Sequence, residues 1–145
     1  MEHKEESAKG TPNIIFMCIG NSCRSQMAEG FMKVLAPKEW KVSSAGTKPA
    51  DRVNPLAIEV MKEVGIDISS HYSKIVTSEM IGNATHLISM GCGVFDSCPV
   101  FIYKDKVLDD WGIEDLVNQP IEKFREVRDL IKQKVEYLIQ KINNH

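Results

Sequence analysis

No stretch of this chain is apolar for long enough to cross a bilayer, which takes about 20 consecutive residues. The first ten residues, Met1–Gly10, are polar and charged and lack the apolar core of a secretion signal. They read as a lead-in, residues 1–12, to one domain over 13–145, and a cytoplasmic location is expected. Neither sign of charge predominates: 18 Lys and Arg against 20 Asp and Glu leave a net −2, which argues against nucleic acid or an anionic membrane as a partner. Repeats and low-complexity tracts are missing too. The 145 residues suit one domain with a full-sized core, and a monomer is the default expectation. Cysteine is scarce, at four positions: Cys18, Cys23, Cys92 and Cys98. In a reducing compartment these do not form a permanent disulfide framework. Tight C-x₂-C pairs with nearby histidines, which a zinc site would want, are absent, and His71 and His86 do not supply that spacing. His3 and His145 have no obvious partner either. What remains for the thiols is redox or nucleophilic chemistry.

The elements that are present alternate. Ile14–Met17 is a short continuous apolar run, expected to be a strand buried on both faces. Ser25–Ala36 places Met27, Ala28, Phe31, Met32 and Leu35 on one face and Gln26, Glu29 and Lys33 on the other, which is helical periodicity ended by Pro37. Lys41–Ala45 reads as a strand. Asn54-Pro55 is a capped helix start and Gly65 its stop. Residues 66–74 read as loop, Thr77–Gly82 as a short helix, Thr85–Met90 as a strand, Val100–Tyr103 and Val107–Trp111 as further strand candidates. From Pro120 on, Ile121, Phe124, Val127, Ile131, Val135, Leu138 and Ile142 recur at helical spacing. Strands alternating with helices predict an α/β fold with a mainly parallel sheet. Ligands of such sheets bind outside the carboxyl ends of the strands, where Cys18, Cys92, Asp110 and Asp115 all fall.

The stretch Cys18-Ile19-Gly20-Asn21-Ser22-Cys23-Arg24-Ser25 joins the first strand to the first helix. A loop of this length can curl its backbone N–H groups inward into a nest for a tetrahedral oxyanion, with the helix N-terminus behind it. Arg24 would close the ring with a planar fork suited to two oxygens. Cys18 would sit beneath the anion as nucleophile, favoured as thiolate by the same field. A lone cysteine at a strand end is ordinarily a small buried hydrophobe; the arginine six positions on and the strand–loop–helix context reverse that. Ser25 can donate to the thiolate or cap the helix, while Cys23 can serve to hold the shape of the loop.

Cys92 and Cys98, with Gly91 and Gly93 flanking the first, are two thiols in a glycine-bearing loop, which suggests thiol–disulfide exchange with Cys18. An acid must protonate the oxygen that leaves the anion. Asp109, Asp110, Glu114 and Asp115 compete for that role, and Gly112 would let the loop bearing the last two bend over the site.

Cys18 to Gly30, Ser44-Ala45-Gly46-Thr47, Asn54 to Ser69, Cys92 with Cys98-Pro99, and Trp111 to Asp115 together resemble the arsenate reductases of the thioredoxin-coupled type. These share the fold of the low-molecular-weight protein tyrosine phosphatases. The resemblance runs from about Asn13 to Tyr137. It departs from the usual pattern at Ile19, where threonine is common, at Leu116, where proline is, and in a Cys92–Cys98 spacing one residue short. It implies a four-stranded parallel sheet of flavodoxin-like order with helices on both faces. It also implies roles: Cys18 attacks arsenate held by the loop amides of Ile19 to Ser25 and by Arg24, and Asp115 protonates the departing oxygen. Cys92 then attacks Cys18 to release arsenite, and Cys98 passes the disulfide on to thioredoxin or another dithiol protein. Phosphate and sulfate would compete for the loop. No organic cofactor is implied; some members bind potassium, at positions matching Asn21, Glu29, Ser44 and Asp67. The chain lacks the Asp-Pro-Tyr sequence expected of the phosphatase branch. A phosphatase is nevertheless the alternative, and a thiol sensor of arsenite or oxidants the second alternative.

Overall fold

The computed structural model describes residues 11–91 and 105–144; Cys92, Cys98 and the strand candidate at 100–103 lie outside them. Four strands form one wholly parallel sheet: β1 (Asn13–Cys18), β2 (Lys41–Gly46), β3 (His86–Ser89) and β4 (Val107–Asp110), in the spatial order β2-β1-β3-β4. The helices are α1 (Arg24–Leu35), α2 (Pro55–Glu63), α3 (Ser78–Asn83) and α4 (Ile121–Asn143). The expected α/β fold, and each expected element inside the described residues, is present to within a residue or two at its ends.

The apolar run of β1 is continuous because both faces of the strand are covered. Ile14, Phe16 and Cys18 point to the larger core, shared with α1, α2 and α4. Ile15 and Met17 point to a smaller one with Leu87 and with Ile81 of α3. Among the described residues, three helices thus cover one face and α3 the other. Local signals set the helix ends. The Asn54 side chain accepts from the Leu56 N–H at 2.8 Å, with Pro55 in the first turn, and Thr77 caps α3 through the Met80 N–H. Gly65 takes φ +83 just past α2, the left-handed exit that a glycine tolerates.

Strand order positions the site. The chain moves from β1 to β2 on one side, then to β3 on the other. Strand order therefore reverses at β1, and a crevice opens beyond the carboxyl ends of β1 and β3. Cys18 is the last residue of β1, and Ser89-Met90-Gly91 leaves β3 beside it, with the Met90 N–H donating to the Met17 carbonyl at 3.0 Å.

Candidate functional site

The loop after β1 is built by turning its carbonyls outward. The Cys18, Ile19, Gly20 and Ser22 carbonyls accept from the backbone N–H groups of Thr47, Lys48, Ala50 and Asn54, at 2.9 to 3.3 Å. The Asn21 carbonyl accepts from Gln26 Nε2 at 3.0 Å and from the Ser73 hydroxyl at 2.9 Å. In a trans peptide the N–H points opposite to the C=O, so outward carbonyls turn the following amides into the loop. The segment after β2 comes close enough to do this because it starts at Gly46. A Cβ there would collide with the Ile19 carbonyl oxygen and stand 3.0 Å from that of Cys18.

Asn21 is the hub of the loop. It is fully buried and takes φ +50, a conformation asparagine tolerates better than most residues. Its backbone N–H donates to Cys18 Sγ at 3.1 Å, and its Nδ2 donates to Ser25 Oγ at 2.8 Å. With Ser25 accepting from Asn21, its own hydroxyl hydrogen is free for Cys18 Sγ, 3.0 Å away. Two donors therefore converge on the sulfur and hold it in place beneath the loop. This resolves the two roles open to Ser25: it serves the thiol, and the residue before α1, Cys23, makes no side-chain cap. Cys23 itself is buried within the loop; burial, then the neighbouring Cys18, push its thiol up, against the pull of Ser22.

Arg24 Nη1 donates to the Met90 carbonyl at 3.1 Å and to the Ile113 carbonyl at 2.8 Å. That anchors one end of the guanidinium and leaves the Nε and Nη2 edge to meet two oxygens of an anion. The same two bonds tie the loop to the end of β3 and to the segment bearing the acids. Gly91 and Gly112 complete the junction, with φ of +100 and +59 and a Cβ on Gly91 only 2.8 Å from the Gly112 Cα.

Cys18 to Arg24, Ala50, Gly91 and Ile113 to Asp115 line one cleft of about 640 Å³, together with Val117. Of the competing acids, Asp109 and Asp110 lie on β4 and do not line it. Glu114 does, but it is held by Lys123 Nζ at 3.1 Å. Asp115 lines it too, and its Oδ1 accepts only the Val117 N–H, at 3.1 Å, among the described residues. Leu116 and Ile113 are buried on either side, so packing pins this loop where the usual pattern has proline.

A layer beneath the loop escaped the sequence reading. Gln26 and Glu29, placed on the polar face of α1, are buried. Gln26 Nε2 reaches the Asn21 Oδ1 at 3.1 Å and the Tyr72 carbonyl at 3.0 Å, and the Lys74 N–H donates to Asn21 Oδ1 at 3.0 Å. His71, read as lacking a partner, stands 2.9 Å from Gln26 Oε1 through its Nδ1. Because the Gln26 amide nitrogen is spent as a donor, His71 Nδ1 must carry the hydrogen. Residues 71–74 thus support the anion loop through contacts 45 or more positions apart, and no local signal marks them. The conjunction of Gln26 and Glu29 with a following lysine on an otherwise apolar helix was the one hint.

Of the four positions matched to potassium, Glu29 and Ser44 meet, and the oxygens of Asn21, Glu29 and Asp67 already have donors. Glu29 Oε1 accepts the Ser44 hydroxyl at 2.6 Å and Oε2 holds Lys33 Nζ at 2.6 Å. Asn21 Oδ1 already has its two donors. Asp67 is exposed, and its Oδ1 accepts the Ser69 N–H at 2.8 Å. With the Lys33 ammonium seated on Glu29, this donor set does not fit the ion.

Among the described residues no helix is long and apolar enough to cross a membrane. The chain is similar to proteins of known type over most of its length. The model of the low molecular weight phosphotyrosine protein phosphatases matches residues 13–145. An arsenate reductase of Staphylococcus aureus (strain Newman) is 43% identical over 123 residues, 85% of this chain and 92% of the relative. A solved arsenate reductase in a phosphate-binding state superposes with a TM-score of 0.80 at 41% identity, covering 90% of this chain and 98% of its own. A thioredoxin-dependent arsenate reductase of Corynebacterium glutamicum superposes with a TM-score of 0.78 at 29% identity, covering 97% and 71%. By family match and by the cysteine-to-arginine loop at the end of β1, this chain is a member of the low molecular weight phosphotyrosine protein phosphatase family.

Proposed function

We propose that this chain is an arsenate reductase of the thioredoxin-coupled type. The observation that carries the reading is the cleft itself: Cys18 Sγ beneath an inward-facing loop, the free edge of Arg24, Asp115 on the facing wall, and Gly91, the residue before Cys92, in the lining. Arsenate binds to the loop amides and Arg24. Cys18 attacks arsenic, and one oxygen leaves as water with a proton from Asp115. Cys92 then attacks the Cys18 sulfur. The sulfur–arsenic bond breaks toward arsenic, which takes the electron pair and falls from the +5 to the +3 state, leaving as arsenite. A Cys18–Cys92 disulfide remains. Cys98 attacks Cys92 and frees Cys18, and a dithiol protein reduces the Cys92–Cys98 disulfide. No other cofactor is needed. Phosphate and sulfate compete for the loop, and the protein acts as a cytoplasmic monomer.

The loop would hold phosphate equally well, and the family includes phosphatases, so phosphate-ester hydrolysis is the second reading. The downstream thiols separate the two. Arsenite formation from arsenate with thioredoxin, its reductase and NADPH is expected to be lost in both Cys92→Ser and Cys98→Ser, while cleavage of p-nitrophenyl phosphate is spared. Mass mapping of Cys98→Ser after arsenate is expected to find the Cys18–Cys92 disulfide. Arsenite turnover that survives both substitutions overturns the relay.

A further inference from the structure

We propose that the Lys33 ammonium is the resident cation of the site beneath the anion loop, so that this protein works without potassium. The Glu29 carboxylate is 4% exposed, and a buried charge must be paired. Lys33, one turn further along α1, pairs it at 2.6 Å while half of its own side chain stays in solvent. The other carboxylate oxygen is engaged by Ser44 at 2.6 Å, so the seat is closed from both sides. His71 Nδ1 stands 3.9 Å from the same carboxylate. Lys74 Nζ stands 3.3 Å from the Tyr72 carbonyl and 4.7 Å above the Tyr72 ring. The fields of Lys33 and Lys74 both act on His71, and that of Glu29 on Lys74. A potassium ion would therefore have to displace the Lys33 ammonium from a carboxylate whose other oxygen already has a donor.

The arrangement also has a purpose in the loop. Glu29 lies one turn beyond Ser25 and Gln26 on the same helix, and the residues that pin Asn21 are Gln26, Ser73 and Lys74. Neutralising Glu29 from α1 keeps this layer in place without a ligand from solution.

Thermal unfolding in matched concentrations of KCl, NaCl and choline chloride tests this, and it stands apart from the reductase reading because it measures binding through stability. The unchanged protein is expected to melt at the same temperature in all three salts. Lys33→Met, with the seat vacated, is expected to melt about 4 °C or more higher in KCl than in the other two. Lys33→Gln carries the same expectation, and Lys33→Arg is expected to be as indifferent as the parent. A potassium-specific rise in the unchanged protein overturns the proposal. So does a Lys33→Gln or Lys33→Met protein that folds and shows no preference for potassium.

Discussion

At Cys18 two hydrogen bonds converge on one sulfur, from the Asn21 amide and the Ser25 hydroxyl. A donor to a charged acceptor contributes about 1.5–3 kcal/mol, so Ser25→Ala is expected to lower kcat roughly 10- to 100-fold. Slower alkylation of Cys18 by iodoacetamide at neutral pH checks that the loss lies in the nucleophile. Asp115 and Glu114 make a sharper pair. Both line the cleft, yet only Glu114 is tied to a lysine. Asp115→Asn is expected to cost about 10²- to 10⁴-fold in kcat and Glu114→Gln little, measured as arsenite formation under single turnover. Equal losses from the two would remove Asp115 from its role. Cys18 and Arg24 were legible in the sequence because their spacing is local. The sequence could not choose between Asp115 and its neighbours, because the choice depends on Lys123, in another element.

Among elements, the junction of the β3 exit with the acid-bearing segment is the tightest point. Gly91 and Gly112 touch backbone to backbone, both at positive φ. Gly91→Ala brings a Cβ to 2.8 Å from the Gly112 Cα at φ +100, so it is expected to cost about 1–3 kcal/mol. It should also lower activity by displacing Asp115. Urea unfolding together with initial rates checks both. On the opposite side of the core, α4 presents Phe124, 1% exposed, to the large apolar cluster. Phe124→Ala is expected to lose about 3–5 kcal/mol, read as a shift of the urea midpoint at unchanged slope. The periodicity of α4 announced that face in full. The same method misplaced Gln26 and Glu29. Periodicity sorts side chains by polarity, and a buried polar layer supporting a loop has the composition of a solvated face.

For the whole molecule, pH reports on two distant contacts. Burial, together with Lys33 and Lys74 and against Glu29 and Asp67, holds His71 below its ordinary value of 6.5. The unfolded chain then binds the proton that the folded one refuses. Stability is expected to fall as pH drops through 6.5 and to level off below the folded value. Glu63 is lowered from 4.5 to about 2, first by its hydrogen bonds to Arg125 and then by Arg128, across the contact of α2 with α4. Its contribution is present above 4.5 and is lost between there and about 2. Unfolding midpoints measured from pH 8 to 3 should show both declines. His71→Gln should remove the upper one and Glu63→Gln should flatten the lower one. An upper decline that persists in His71→Gln would assign it to another group.

By itself the sequence determined the alternation of strands and helices, the loop from Cys18 to Arg24 and the core face of α4. Each of these is written in neighbouring residues through strand and helix periods, caps and a fixed loop length. Tertiary structure decided what surrounds the loop: the carbonyls drawn outward by residues 47–54, the support from 71–74, the Arg24 bonds to the Met90 and Ile113 carbonyls, and the seating of Glu29 against Ser44 of β2. These contacts join segments whose meeting depends on strand order, and the order β2-β1-β3-β4 is set by how the whole chain packs, not by any one stretch of it.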